Sequence, residues 1–233
     1  MNYSKFQPLK NLKFFVIAIV ALALVLSGFT ALAASKQQAS TAAAPAAASA
    51  SGKISTVDFQ NSMRKLWEEH VTWTRLYIIS VAGNLPDQDV TAQRLLQNQT
   101  DIGNAVKAFY GDAAGNQLTS LLKDHILLAA AILADVKAGD TAKAQTDTTA
   151  WYANADQIAT FLSNANPKNW PLASMKAQMK MHLDLTLQEA GDRLNGKYAA
   201  DIQDYDRIEN HILGMSDVLS SGIIKQFPDK FTH

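Results

Sequence analysis

From Ser55 to Gln226 apolar residues recur every three or four positions, and no stretch shows sustained alternation. That period constrains the chain more than any other feature. A chain without half-buried strands can bury its apolar stripes only against other helices. Ser55-Thr56-Val57-Asp58 opens the first segment in the manner of a capping box. Phe59, Met63, Leu66, His70, Trp73 and Tyr77 carry its stripe to about Val81, and Gly83 to Asp87 form a turn. The second segment spans about Val90 to Tyr110, with Leu95, Ile102, Val106 and Phe109 on one face; Gly111 to Gly115 break it. The third, about Asn116 to Ala138, carries Leu118, Leu121, His125, Leu128, Ile132 and Val136. Gly139-Asp140 reads as a C-cap followed by a new N-cap. The fourth, about Thr141 to Ala165, carries Ala144, Trp151, Ala155, Ile158 and Leu162. Asn166 to Pro171 form a corner, with Pro171 at a favoured first-turn position. The fifth segment then runs to about Leu194, and Asn195-Gly196 end it. The sixth covers about Tyr198 to Gln226, where Pro228 stops the helix. Turns this short place consecutive helices antiparallel, so the expected fold is all-α: an up-and-down antiparallel bundle of about six helices.

Residues 1–33 read differently. Lys5, Lys10 and Lys13 precede an unbroken apolar run from Phe14 to Leu26; Ser27-Gly28 break it, and Ala31-Leu32-Ala33 has the small-x-small form of a peptidase site. This is the pattern of a signal peptide. The alternative is an uncleaved anchor, since residues 14–33 just suffice to cross a bilayer. Either way the domain is expected outside the cytoplasm, secreted, periplasmic or at the cell surface. Residues 34–53 are almost all Ala, Ser, Gln and Thr with one proline, a flexible linker. Residues 54–233 form the bundle domain.

The formal charge is zero, but three lysines and no acid lie before residue 34. Taking those three from 21 basic residues leaves 18 against 21 acidic ones, a net of −3. A mildly acidic domain has no bulk electrostatic attraction for nucleic acid or anionic lipid. The chain has no cysteine, which excludes disulfides, thiolate metal sites, iron–sulfur clusters and a cysteine nucleophile. There is no nucleophile elbow, phosphate loop or His-Glu-x-x-His sequence, so the expectation leans away from an enzyme.

The chemistry-bearing residues are histidines. Apart from His233, the chain has His70, His125, His182 and His211, one near the middle of each of four long segments and each on or beside the apolar stripe. Mid-helix positions in an antiparallel bundle come to similar heights, so four imidazoles are expected at one level of the core, as in bundle metal sites. No carboxylate stands three or four residues from any of them. His182 and Glu189 are seven apart, about 10 Å along a helix. The side-chain ligands one turn away are thioethers, Met179 before His182 and Met215 after His211. Imidazole with thioether suits copper; zinc, iron or a haem with two axial histidines are the other options. Ordinary core packing is the competing account of these same residues.

Helix-borne charges form a second group. Arg94, Asn98 and Asp101 recur along the second segment within the polar stretch Gln97 to Asp101, and Glu68-Glu69-His70 precede Trp73-Thr74-Arg75. A solvated face explains such residues; otherwise Arg75 or Arg94 pairs with a buried carboxylate. Glu69, Asp101 and Glu189, with Arg75 and Arg94, are the residues expected to orient the histidines.

The segments Trp67-Glu68-Glu69-His70-Val71-Thr72-Trp73-Thr74-Arg75, Arg94 through Asn104, and Gln226-Phe227-Pro228 resemble a family of bacterial helical proteins with no assigned function. The resemblance covers about residues 60–231. It implies a helical domain and transfers no catalytic or binding residue; a transferase-type label on some members finds no α/β core here. The leading expectation is therefore a bundle that binds a small ligand, a transition metal, through its histidines. The alternatives are an envelope or surface protein whose bundle face binds another macromolecule, and an enzyme using the polar cleft.

Overall fold

The computed structural model describes residues 52–232. The expected signal or anchor segment, nearly all of the linker, and His233 lie outside them. Among the described residues no helix is long and apolar enough to cross a membrane.

Five helices make up the fold among these residues: α1 (Thr56–Gly83), α2 (Gln88–Ala138), α3 (Thr141–Ala165), α4 (Leu172–Leu194) and α5 (Tyr198–Gln226). The all-α expectation holds, and the count of six is corrected. The second and third expected segments are one element, α2, which leaves helical geometry at Gly111 (φ 83°, ψ 169°). The chain reverses there. A Cβ added to Gly103 would lie 2.6 Å from the Gly115 carbonyl oxygen and 1.9 Å from the Thr119 hydroxyl. Twelve residues of straight helix span about 18 Å, so that contact requires two antiparallel arms hinged at Gly111. Glycine's access to positive φ lets one residue do what the sequence suggested a five-residue loop would do.

The caps follow the sequence closely. Ser55 accepts from the Asp58 N–H at the start of α1, Gly139 ends α2 at φ 78°, and Asp140 accepts from the Lys143 N–H to open α3. Pro171 sits one place earlier than expected, as the N-cap of α4. The chain also continues past Pro228. Residues Pro228–Lys230 make a 3₁₀ turn, and β2 (Phe231–Thr232) pairs in parallel with β1 (Ile54–Ser55). Two-residue strands are too short to leave an alternating pattern, so they were not legible. Phe231 stacks on Phe109 and tilts against Phe59, tying the C-terminal residues to α1 and α2.

Neighbouring packing runs α1–α2–α3–α4–α5 and closes from α5 back to α1. The core is not uniform. A large cluster built from Met63, Trp67, Ile102, Leu118, Met179, Ile223 and their neighbours fills one end. A small one, Ile78, Val81, Leu133 and Ala190, lies toward the other. The histidines stand between.

Candidate functional site

His70 comes from α1, His125 from the second arm of α2, His182 from α4 and His211 from α5. The structure brings all four together, with His182 as the hub. Its ring centroid lies 5.6 Å from that of His70, 6.3 Å from His125 and 6.4 Å from His211. His70, His125 and His182 are buried, and His211 is half-buried. Trp67 meets His70 edge to face, and Trp151 lies 5.0 Å from His125.

Burial keeps these imidazoles neutral, because a charged ring has no solvent to stabilise it there. It pushes His70 down to about 3, helped by His125 and opposed by the Gln99 contact. It pushes His125 down to about 4 against the raising effect of Asn154. His182 falls well below the usual value through burial and its three histidine neighbours, and His211 is lowered by burial.

Hydrogen bonds fix which nitrogens carry protons. The Asn154 amide nitrogen donates to the Leu121 carbonyl, so its oxygen faces His125 and accepts from Nδ1–H at 2.8 Å. That leaves His125 Nε2 as a bare lone pair, buried and without a hydrogen-bond partner among the described residues. His182 Nδ1 is buried and unpartnered in the same sense. His211 Nε2 donates to the Gln178 carbonyl at 3.0 Å, which leaves its Nδ1 as the basic nitrogen. Gln99 Nε2 lies 3.2 Å from His70 Nδ1 while also donating to the Leu95 carbonyl.

Convergence of the rings does not by itself make a chelate. Among the described residues, no group of three or more His, Asp or Glu side chains stands ready to hold one metal ion. Met179 and Met215 turn toward the large apolar cluster. They line a cavity of about 20 Å³ with Trp67, Ile102, Leu118 and Trp170, and no histidine borders it.

The charged residues expected to orient the histidines are engaged elsewhere. Arg75 binds Glu189 at 2.6 Å and Asp201 at 2.7 Å, while Arg193 adds a 3.3 Å contact to Asp201. Arg75 also lies over the Tyr205 ring. Both carboxylates are almost fully buried, and burial pushes Glu189 up to about 7 in spite of the adjacent Arg75. This network clamps α1, α4 and α5. Arg94 sits over Trp73 and pairs with Glu69 at 3.0 Å, with Asp101 at the 4.0 Å margin, on a partly exposed face.

The side chains that hydrogen-bond the rings are amides. Gln99 and Asn154 face His70 and His125, and Asn98, fully buried, donates to the Leu66 carbonyl. From the sequence, Asn98 and Gln99 stand only as part of a polar stretch, and Asn154 and Asp201 are passed over. The signal for Asn98 and Gln99 was present: two amides inside a helix, between Leu95 and Ile102 on the apolar stripe. Asn154 likewise stands one turn after Trp151.

No protein-family profile, no curated protein and no solved structure matches this chain.

Proposed function

We propose that this is an exported binding protein that takes a transition-metal ion on its histidine layer. The observation that carries the reading is the bare, buried Nε2 of His125, aimed by Asn154, beside a second bare nitrogen on His182. A plain core has no use for two unpartnered imidazole nitrogens, because an unsatisfied buried polar atom is destabilising. A metal needs neutral imidazole, and an imidazole whose far N–H is held by a neighbour is a preoriented ligand. The spacing is compatible with two nitrogens in line through one ion. Two metal–nitrogen bonds of about 2 Å, plus roughly 1 Å from each nitrogen to its ring centre, span about 6 Å. His125 and His182 are 6.3 Å apart between centroids. Further ligation by His211 would use its Nδ1 with the Nε2–H still held by the Gln178 carbonyl, whereas His70 would have to exchange its contact with Gln99. Imidazole sites of this kind take copper, zinc or iron.

The second reading keeps the histidines as core packing in an envelope protein whose outer face binds a macromolecule. The lack of a ready three-ligand group among the described residues favours it. Metal content of residues 54–233, purified without an affinity tag and incubated with each ion, separates the two. One ion per chain is expected, lost in His125→Gln and weakened roughly tenfold or more in Asn154→Leu, which releases the ring orientation. A content near zero with every ion removes the metal reading and leaves the structural one.

A further inference from the structure

Beyond the histidine layer, on the side away from Met179 and Met215, the bundle holds a cavity of about 100 Å³. Ile78, Leu95, Ile126, Leu133, Trp151 and Ala190 are among the residues that wall it. Two threonines also face it, but neither offers a donor. Thr74 donates to the His70 carbonyl at 2.8 Å and Thr186 to the His182 carbonyl at 2.9 Å, so both hydroxyl protons are already engaged. A wall of this kind keeps water out, since a water needs at least two polar partners.

The hole has no packing explanation. The same five helices close to a cavity of about 20 Å³ at the other end. Gly191 borders the larger cavity, and a Cβ added there would meet no atom within 4 Å. Small side chains thus keep space open where larger ones would fill it. At one end the cavity reaches Val136, which is 48% exposed, and the half-buried Tyr77. At the other it ends on Trp151, whose indole lies against His125.

We propose that this cavity is a binding site for a compact, uncharged, apolar molecule no larger than a single aromatic ring, entering at the Val136 end and resting against Trp151. Apolar cavities only modestly larger bind benzene or xenon without rearrangement. A ligand hydroxyl would meet few polar groups inside, the Trp151 N–H, buried without a partner among the described residues, being the first, so it gains little there and binds more weakly. The site exists whether or not the histidine layer holds a metal, and its test is read on metal-free protein.

The experiment uses xenon, benzene and phenol with the purified, chelator-treated protein. Methyl NMR is expected to show xenon and benzene shifting Ile78, Leu95, Ile126 and Leu133, while Met63 and Ile102 at the packed end stay unmoved. Benzene should raise the thermal midpoint, and phenol should bind roughly tenfold more weakly. Ala190→Leu, which puts three carbons into the space, should abolish the shifts while helical circular dichroism is retained. No shift at the four named methyl residues in the wild-type protein overturns the proposal, and that result stands even if Ala190→Leu fails to fold. Equal shifts in a folded Ala190→Leu protein overturn the location. Phenol binding as tightly as benzene overturns the ligand class.

Discussion

The two ends of the bundle are built from the same five helices and have opposite characters. Below the histidines, Trp67, Ile102, Leu118, Met179, Met215, Leu219 and Ile223 interlock around almost no free space. Trp170 lies so close to Gly222 that a Cβ there would fall 2.1 Å from its indole nitrogen, which donates to the Val218 carbonyl. Above them a smaller apolar cluster borders a dry cavity, and the helices are held by the charges of Arg75, Glu189 and Asp201. Close packing rigidifies one end, while the other combines directional ion pairs with space. Protein interiors normally pack to crystal density. The two ends differ in how fully their space is filled, and the histidine layer lies on the boundary.

Breaking the ion clamp should have the largest effect. Arg75→Met leaves two nearly fully buried carboxylates, Glu189 and Asp201, with only the longer Arg193 contact. Loss of one partner from a buried ionic group costs about 3–5 kcal/mol. Urea unfolding should show that loss; a change below about 1 kcal/mol would mean the upper end does not depend on the clamp. Next comes the packed end. Ile223 is fully buried, and Ile223→Ala should cost about 3 kcal/mol through lost transfer energy and a new cavity. Ala190→Leu at the open end should change stability by less than about 1 kcal/mol, since added volume meets existing space rather than strain. Equal penalties from the two substitutions would erase the contrast between the ends.

Acid supplies the most graded test, a sum over several groups rather than the effect of one substitution, and it acts on the layer itself. Above pH 6.5 the histidines are neutral both folded and unfolded. As pH falls below 6.5 the unfolded chain takes up protons that the buried rings refuse. His125 then contributes a loss of about 1.4 kcal/mol per pH unit down to about pH 4, and His70 a similar loss down to about pH 3. Glu189 has the opposite sign. Its folded value near 7 exceeds the unfolded one, so its contribution is fully present below about pH 4.5 and is lost as pH rises through 7. Net stability should therefore decline from pH 6.5 to 4.5 with Glu189 offsetting part of the loss, and more steeply from about 4.5 to 4, where that offset has ended. A His70→Gln, His125→Gln variant should lose the share of that slope due to these two rings in urea midpoints measured across the range, the remainder coming from His182 and His211. An unchanged slope would mean that the rings are not buried neutral.

Much of the fold was legible because its determinants are local. The caps at Ser55, Gly139 and Asp140, and most helix boundaries, depend on residues a few positions apart. Gly111 was recognised as a breaker, but whether it opened a loop or a one-residue reversal depended on Gly103 meeting Gly115 across the arms. The short pairing of β1 with β2 joins residues far apart in sequence and carried no local pattern. At the site, the four histidines were found from their place on the apolar stripes. Their partners were not, because carboxylates were sought where amides stand. A buried neutral imidazole is served by a neutral partner such as Asn154, whereas a carboxylate would itself have to be neutralised.

The sequence by itself determined that the chain is helical, where most helices start and stop, and that each of four long segments carries one histidine toward the core. Periodicity and capping are properties of single segments, so they can be read without knowing the neighbours. Only the tertiary structure decided that His182 is the hub, that Met179 and Met215 face away from the rings, and that Arg75 holds Glu189 and Asp201 together. It alone decided that one end of the core is full and the other open. These depend on the rotation and axial register of one helix against another. Those are set by the sum of many small packing contacts between segments, and no single segment encodes them.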